Sequence, residues 1–583
     1  MTGTACDPFA AIEVTEWRRR RPPARRGARN WRPPLLWRLP GGERLYRLRL
    51  NGRHPLRLLG SPEAVGLGDP VRGAGWLEGR PEGAAPGASG RLDLDDPWRT
   101  MDDLSPEVAV ALERFEWLLD IAALPDAARA RPLIERWMKA WLARYGRWGG
   151  PGAWRPDWTA ARLKAWFTCA PLILSSADLV YRSAVIDSMA RQARHLHQQL
   201  DRILAAAIPR PEQASVVVAL GMAGLLLPYG EAWRRAALDA LDELLAAALD
   251  ADAAPRSRRA GDALALIAEL ALLANTFSER GEEVPRRLLS TLEGLAAFVR
   301  LLRHEDGRLG HFQGAGNERA SEVERVLKAA RASLRPAGRA ARGGYHRLKA
   351  RRSLLIVDLG PPPPIGDGRA HAAPLALEFA DGVQRIIVNL GPLEAAGPTL
   401  GRTTAAHSTL VVGDRNACEV RADGLGPGLE QVTAFAGEGE EGWLVGGHHD
   451  GYRRRFGLRH ERRLLLTRDG TRLEGEDALL AAGRAAARGN GAGHAFAIRF
   501  HLHPEIEAAE TRGGESVLLK TPSGRLWRFR LEGLEGALDL VLRIEGSLHD
   551  EAGELRPTRQ VVVEGRIAAP PMRCRWTLAR LEG

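Results

Sequence analysis

Apolar positions recur at helical spacing from about residue 105 to residue 335 and alternate with polar ones beyond residue 343. Ser105-Pro106-Glu107 reads as an N-cap followed by proline at the first helical position, and Leu112, Phe115, Leu118 and Leu119 then form one face. Further helices are predicted at about 127–147, 158–174, 177–203, 212–227, 231–249, 260–280, 285–303 and 321–334. Short connections predict antiparallel neighbours, and the lack of a fixed-period repeat argues against a simple solenoid. The expectation is an α/α toroid or helical array over 105–335. Around Asp381-Gly382 and Asp469-Gly470 the alternating stretches read as hairpins, and strands continue to about residue 579. A large antiparallel β-sandwich over 343–583 is the natural way to bury them, which makes the chain multidomain α+β.

Ahead of the helices, residues 1–45 carry Arg18 to Arg21 and Arg25-Arg26 among prolines, and predict a basic, flexible arm. Tyr46-Arg-Leu-Arg-Leu50 alternates and opens an irregular β and turn region over 46–104. The net charge of +11 is carried almost wholly by arginine, since there are five lysines. Compositional drift accounts for that excess, while arginine's planar fork also suits carboxylate, sulfate or phosphate partners. The four cysteines show no paired spacing, which argues against a disulfide framework or a zinc knuckle. No secretory signal and no run of about 18 uncharged apolar residues is seen, so a cytoplasmic chain without a membrane span is expected; Ala214 to Leu227 is too short.

Ten of the fifteen histidines fall between His346 and His549. On Phe496–His503, period two puts Arg499, His501 and His503 on one face, able to bind an anion or to line the space between sheets. His448, His449, Asp450 and Tyr452 share a loop beside a basic run, without decisive metal spacing. Trp137, Trp141, Trp148, Trp154, Trp158 and Trp166 could stack on sugars, although helical spacing favours a core. The glycine-rich stretch His304 to Asn317 could line a cleft.

Ala370-His-Ala-Ala-Pro-Leu-Ala-Leu-Glu-Phe379, Ile386-Ile-Val-Asn-Leu-Gly391 and Ala406-His-Ser-Thr-Leu410 resemble the C-terminal domain of the heparinase II/III-like family. His449-Asp-Gly-Tyr452, Phe456 to Arg463 and Arg499 to Pro504 are similar to the version common in alphaproteobacteria. The resemblance implies a helical toroid joined to a β-sandwich and a lyase that cleaves uronate-containing acidic glycans by β-elimination, in the periplasm. Its implied acid/base residue is His371, with Tyr345 and Tyr229 as candidate bases. Arg402, His407, His449, Tyr452, Arg499 and His501 are expected near the acidic oligosaccharide or polysaccharide. His407 matches a histidine that helps hold a structural zinc in some members. However, Ala373 and Asn389 stand where further polar and acidic residues are usual, so no cofactor is assigned. The helical domain's Asp-Gly-Gly-His-like loop is replaced by Asp250 to Arg258. That loss supports the alternative, a non-catalytic glycan-binding or envelope-related protein on the same scaffold. Nucleic-acid binding through the N-terminal arginines is the weakest reading.

Overall fold

The computed structural model describes residues 9–19, 42–63, 68–81, 92–148, 150–205, 210–331, 339–393, 397, 399–482 and 492–581. Arg21, Arg25 and Arg26 of the expected arm lie outside these residues. Helices α1 (Gly42–Arg49), α2 (Pro70–Leu77), α3 (Pro106–Glu113), α4 (Glu116–Ala122), α5 (Arg131–Tyr145), α6 (Gly150–Ala153) and α7 (Pro156–Thr168) come first. α8 (Ala170–Ile173), α9 (Leu179–Leu204), α10 (Pro211–Leu226), α11 (Glu231–Ala248), α12 (Ala260–Glu279), α13 (Arg286–Leu302) and α14 (Ala320–Ala329) complete the helical unit. α10 is the centre of the layer. It packs on α7, α9, α11 and α12, and almost every one of its side chains is buried. α12 is long and apolar enough to cross a bilayer by length and composition, but 61% of that stretch is buried inside the fold. The tryptophans serve this core: Trp137, Trp141, Trp154 and Trp166 are wholly buried.

Two expectations for the N-terminal part fail for identifiable reasons. In a strand, Tyr46, Leu48 and Leu50 would share a face. Here they separate: Tyr46 of α1 and Leu50 just past its end bury against Trp148 and Trp154, while Leu48 is 64% exposed. The described part of 46–104 holds helices and turns rather than strands. Phe9–Arg18, placed in the flexible arm by composition, is a strand (β1) that pairs antiparallel with residues 431–439. Arg19 anchors its end by donating to the Gly426 carbonyl at 2.9 Å. The helical face predicted through Leu112 to Leu119 is broken at Phe115, whose φ of 60° separates α3 from α4.

The second unit contains β2 (Arg339–Arg342), β3 (Tyr345–Ala350), β4 (Ser353–Asp358), β5 (Leu377–Asp381), β6 (Gln384–Val388), β7 (Leu410–Val412), β8 (Val420–Arg421), β9 (Gly424–Leu425), β10 (Gln431–Gly439) and β11 (Gly442–His449). After the single-turn helix α15 (Arg453–Phe456) come β12 (Leu458–Thr467), β13 (Arg472–Ala481), β14 (Ala495–Leu502), β15 (Glu507–Glu510), β16 (Ser516–Lys520), β17 (Leu526–Glu535), β18 (Ala537–Glu551), β19 (Glu554–Ile567) and β20 (Met572–Arg580). One nine-stranded sheet runs β1-β10-β11-β12-β13-β20-β17-β16-β15. The other runs β18-β19-β14-β6-β5-β4-β3-β2, with β7 also paired to β14. Phe500, Phe529 and Trp576 interlock between the sheets, and Gly475 leaves room for the Trp576 ring, which a Cβ there would meet at 2.1 Å.

A buried polar network ties β12 to β13. Arg462 and Asp477 pair through two hydrogen bonds of 2.8 and 3.1 Å, and Trp576 Nε1 donates to Asp477 at 3.0 Å. His460 bonds Asp477 at 2.8 Å and His449 at 3.2 Å. Burial opposes the Asp477 charge, but Arg462 and His460 hold its carboxyl far below the ordinary range. Asp477→Ala leaves the wholly buried Arg462 without its counter-charge and is expected to cost about 3–5 kcal/mol, measured by denaturant unfolding.

Candidate functional site

The two units meet where the loops following α11 and α13 press on the β2-to-β6 end of the second sheet. Arg258 donates to the Gly343 carbonyl at 3.0 Å and ion-pairs Asp358, and both side chains are buried. Arg347 of β3 reaches back to cap the end of α13, donating to the Leu301 and Arg303 carbonyls at 3.1 and 2.8 Å. Glu378 accepts from the His311 backbone N–H at 2.8 Å and is bonded to His304 Nε2 at 2.7 Å. Burial pushes the Glu378 carboxyl up, but the bond to His304 and the nearby Arg385 guanidinium outweigh it and hold it at about 2.

Within this seam stands His371, buried and 3% exposed. Gln313, from the loop after α13, accepts from the His371 backbone N–H at 2.9 Å. The ring's proton pattern follows from its neighbours. His407 Nδ1 faces the Thr403 carbonyl at 2.8 Å and must carry the proton, so His407 Nε2 is a lone pair. That lone pair accepts from His371 Nδ1 at 3.2 Å, which leaves His371 Nε2 without a proton. Nε2 faces Gly314, where a Cβ would lie 2.8 Å from it and 2.5 Å from Arg259 Nη2; Gly314 holds a φ of +77°. Arg402 donates through Nε to the carbonyl of Ala370, next to His371 in the chain, at 3.0 Å. Arg259 Nη1 and Arg402 Nη2 are buried with no hydrogen-bond partner. Burial first, then His407, Arg259 and Arg402, holds His371 neutral well below its ordinary pKa. The result is an imidazole lone pair beside the Arg259 guanidinium, with the Arg402 charge also felt at the ring, a setting that suits a carboxylate and a proton to be abstracted.

Of the residues nominated from sequence, His371, His407 and Arg402 come together here. His501 backs them: its Nε2–H donates to the Ala405 carbonyl at 2.9 Å and its Nδ1 accepts from Ser547 at 2.8 Å. The others do not join. His449 belongs to the Asp477 network, and Tyr452 donates to the Leu410 carbonyl at 2.8 Å inside the sandwich. Arg499 pairs with Glu545 at 3.3 Å. Tyr345 is fully buried under Arg258 and donates to its carbonyl at 3.0 Å, so its hydroxyl is held by structure and its pKa is driven up by burial. Tyr229 is 61% exposed and precedes α11, an 18-residue helix roughly 27 Å long whose other end leads into the seam loop. Arg259, Gln313 and Gly314 were not nominated individually, although the 304–317 loop was placed at a cleft. A zinc position at His407 has no donor set. Ala373 is apolar, the Asn389 amide is taken by Glu378 at 3.1 Å and Ser408 N–H at 2.9 Å, and both His407 nitrogens are engaged.

The heparinase II/III-like C-terminal domain matches residues 332–577. FtsZ-localized protein C of Caulobacter vibrioides is 31% identical over 559 residues, covering 92% of this chain and 93% of its own. The chain belongs to the heparinase II/III-like family. The helical unit followed by the β unit matches that family's solved lyase structures in fold. A heparinase III superposes with a TM-score of 0.62 over 81% of this chain and 77% of its own, at 13% identity. The heparan sulfate lyase HepC of Pedobacter heparinus gives 0.60 over 82% and 77%, also at 13%.

Eleven histidines, including His371, His407 and His501, are pushed below their ordinary pKa, chiefly by burial. The unfolded chain takes up protons near pH 6.5 while the fold keeps these rings neutral, so stability falls as pH drops below that value. For His407, held at about 4, the loss between pH 6.5 and 4 is about 3 kcal/mol. Thermal melts from pH 7 to 4 should show a steep decline, less steep in His407→Gln.

Proposed function

We propose that this chain is a non-catalytic protein of the FtsZ-centred division apparatus, and that it uses the seam of a lyase scaffold to bind a carboxylate-bearing saccharide. The observation that carries the reading is the placement of the tyrosines. β-Elimination at a uronate needs the carboxylate neutralised, the C5 proton removed and the departing 4-oxygen protonated. The sequence has six tyrosines. Tyr46 bonds His195, Tyr345 and Tyr452 are committed to backbone carbonyls, Tyr145 and Tyr181 pack in the helical core, and Tyr229 lies at the far end of α11. None supplies a hydroxyl beside His371. The arginines and the neutral imidazole still favour an anionic sugar. The full-length relation to a protein named for FtsZ localisation supports the cellular role.

A second reading keeps turnover, and the bare Nε2 of His371 favours it. That nitrogen would take the C5 proton and return it to the leaving oxygen. Incubation with heparin, heparan sulfate, alginate and hyaluronan should give no rise in the ultraviolet absorbance of an unsaturated uronate. Turnover that disappears in His371→Ala would replace the non-catalytic reading. A fluorescent fusion should follow FtsZ to the division plane, and a diffuse signal unaffected by FtsZ would remove the division role. Binding of an acidic oligosaccharide should persist at high salt and weaken about tenfold in Arg259→Gln.

A further inference from the structure

On the other side of Asn389 from His407 lies a second histidine cluster that the seam chemistry does not use. His311 Nδ1 donates to the Asn389 carbonyl at 3.3 Å, which leaves its Nε2 as a lone pair. The His549 ring lies 4.7 Å from that of His311 and 5.3 Å from that of His503. His549 is wholly buried, and neither of its nitrogens has a hydrogen-bond partner. The Asn389 carbonyl is near enough to favour its charged form but is not placed for a hydrogen bond. A buried imidazole with both nitrogens idle is costly unless something absent from the chain itself engages it. Glu551, two residues along β18 and so on the same face, points its carboxylate at the same space.

We propose that His311, His549 and Glu551 form a binding site for a divalent transition ion of the zinc type. One ligand atom from each lies within 4.8 Å of the other two. A tetrahedral ion with bonds near 2.0–2.1 Å wants ligand atoms roughly 3.4 Å apart, so no pair need close by more than about 1.4 Å. Two imidazoles and a carboxylate are a set that zinc accepts with water in the fourth position. The surroundings orient these ligands. Asn389 fixes the His311 ring, and Arg385 holds Glu551 while its Nε pairs with Asp306 at 2.9 Å. Arg385 also donates to His503 Nε2 at 3.2 Å, which keeps that ring neutral beside the site. The site crosses the seam, because His311 follows α13 and the other two ligands end β18.

The test is a cobalt(II) titration of the full chain after chelator treatment, with zinc(II) as competitor. One equivalent of cobalt should bind with a visible ligand-field band, and zinc should displace it. His549→Gln and Glu551→Gln, checked for folding by circular dichroism, should each weaken binding at least tenfold, and His407→Gln should leave it unchanged. If His549→Gln fails to fold, His311→Gln takes its place. No band with the wild-type chain, or affinity unaltered by His549→Gln and Glu551→Gln, would overturn the proposal. So would loss of binding in His407→Gln alone.

Discussion

The seam depends on buried charged groups whose charged partners come from the other unit. Arg258 leaves the helical unit to meet Asp358, and Glu378 leaves the sheet to meet His304 and the His311 N–H. Burying such groups costs several kcal/mol each unless the partners are in place, so the two units hold one relative position or lose the contacts together. This constraint fixes the loops around Arg258 and Gln313. Those loops in turn set the position of Gly314 and Arg259 over His371.

The chemistry at His371 is therefore set by backbone carbonyls and burial more than by any acid. The Thr403 carbonyl dictates the His407 tautomer, which dictates that of His371. Beside this pair, Asn389 is bonded directly to Glu378 and Ser408, while His407 is held by His371 and the Thr403 carbonyl. The same neutral-histidine construction recurs at His449 and His460 without any access to the seam, which marks it as a packing solution in the sandwich. What distinguishes His371 is that Arg259 lies beside its Nε2 while Arg402 bonds the neighbouring Ala370 carbonyl.

Much of the fold was legible because long periodic stretches overrule local ambiguity. The α7 to α13 helices and the β12–β13 hairpin follow directly from period and turn chemistry. Tyr46 to Leu50 was not, because five residues fit both periods and only the docking of Tyr46 on Trp148 decides between them. β1 was hidden because its pairing partner lies some 420 residues away and its flanks are rich in arginine. In the site, motif resemblance pointed to His371 and His407, which the fold sets side by side, with Arg402 bonded to the adjoining Ala370 carbonyl. It could not tell that His449 and Tyr452 point into the core, since β-strand parity assigns a face but not which face is covered. Arg259 carried no motif at all; only the folded loop brings it to His371.

The account rests on His371 being neutral, with its proton on Nδ1 and its Nε2 bare. Nitrogen-15 NMR of the histidine-labelled chain reads this directly through the ring-nitrogen shifts and their couplings to the ring protons. The prediction is a pyridine-type Nε2 and a protonated Nδ1 for His371 at pH 7, unchanged on lowering the pH to 5. A proton on Nε2, or an imidazolium at pH 7, would contradict it.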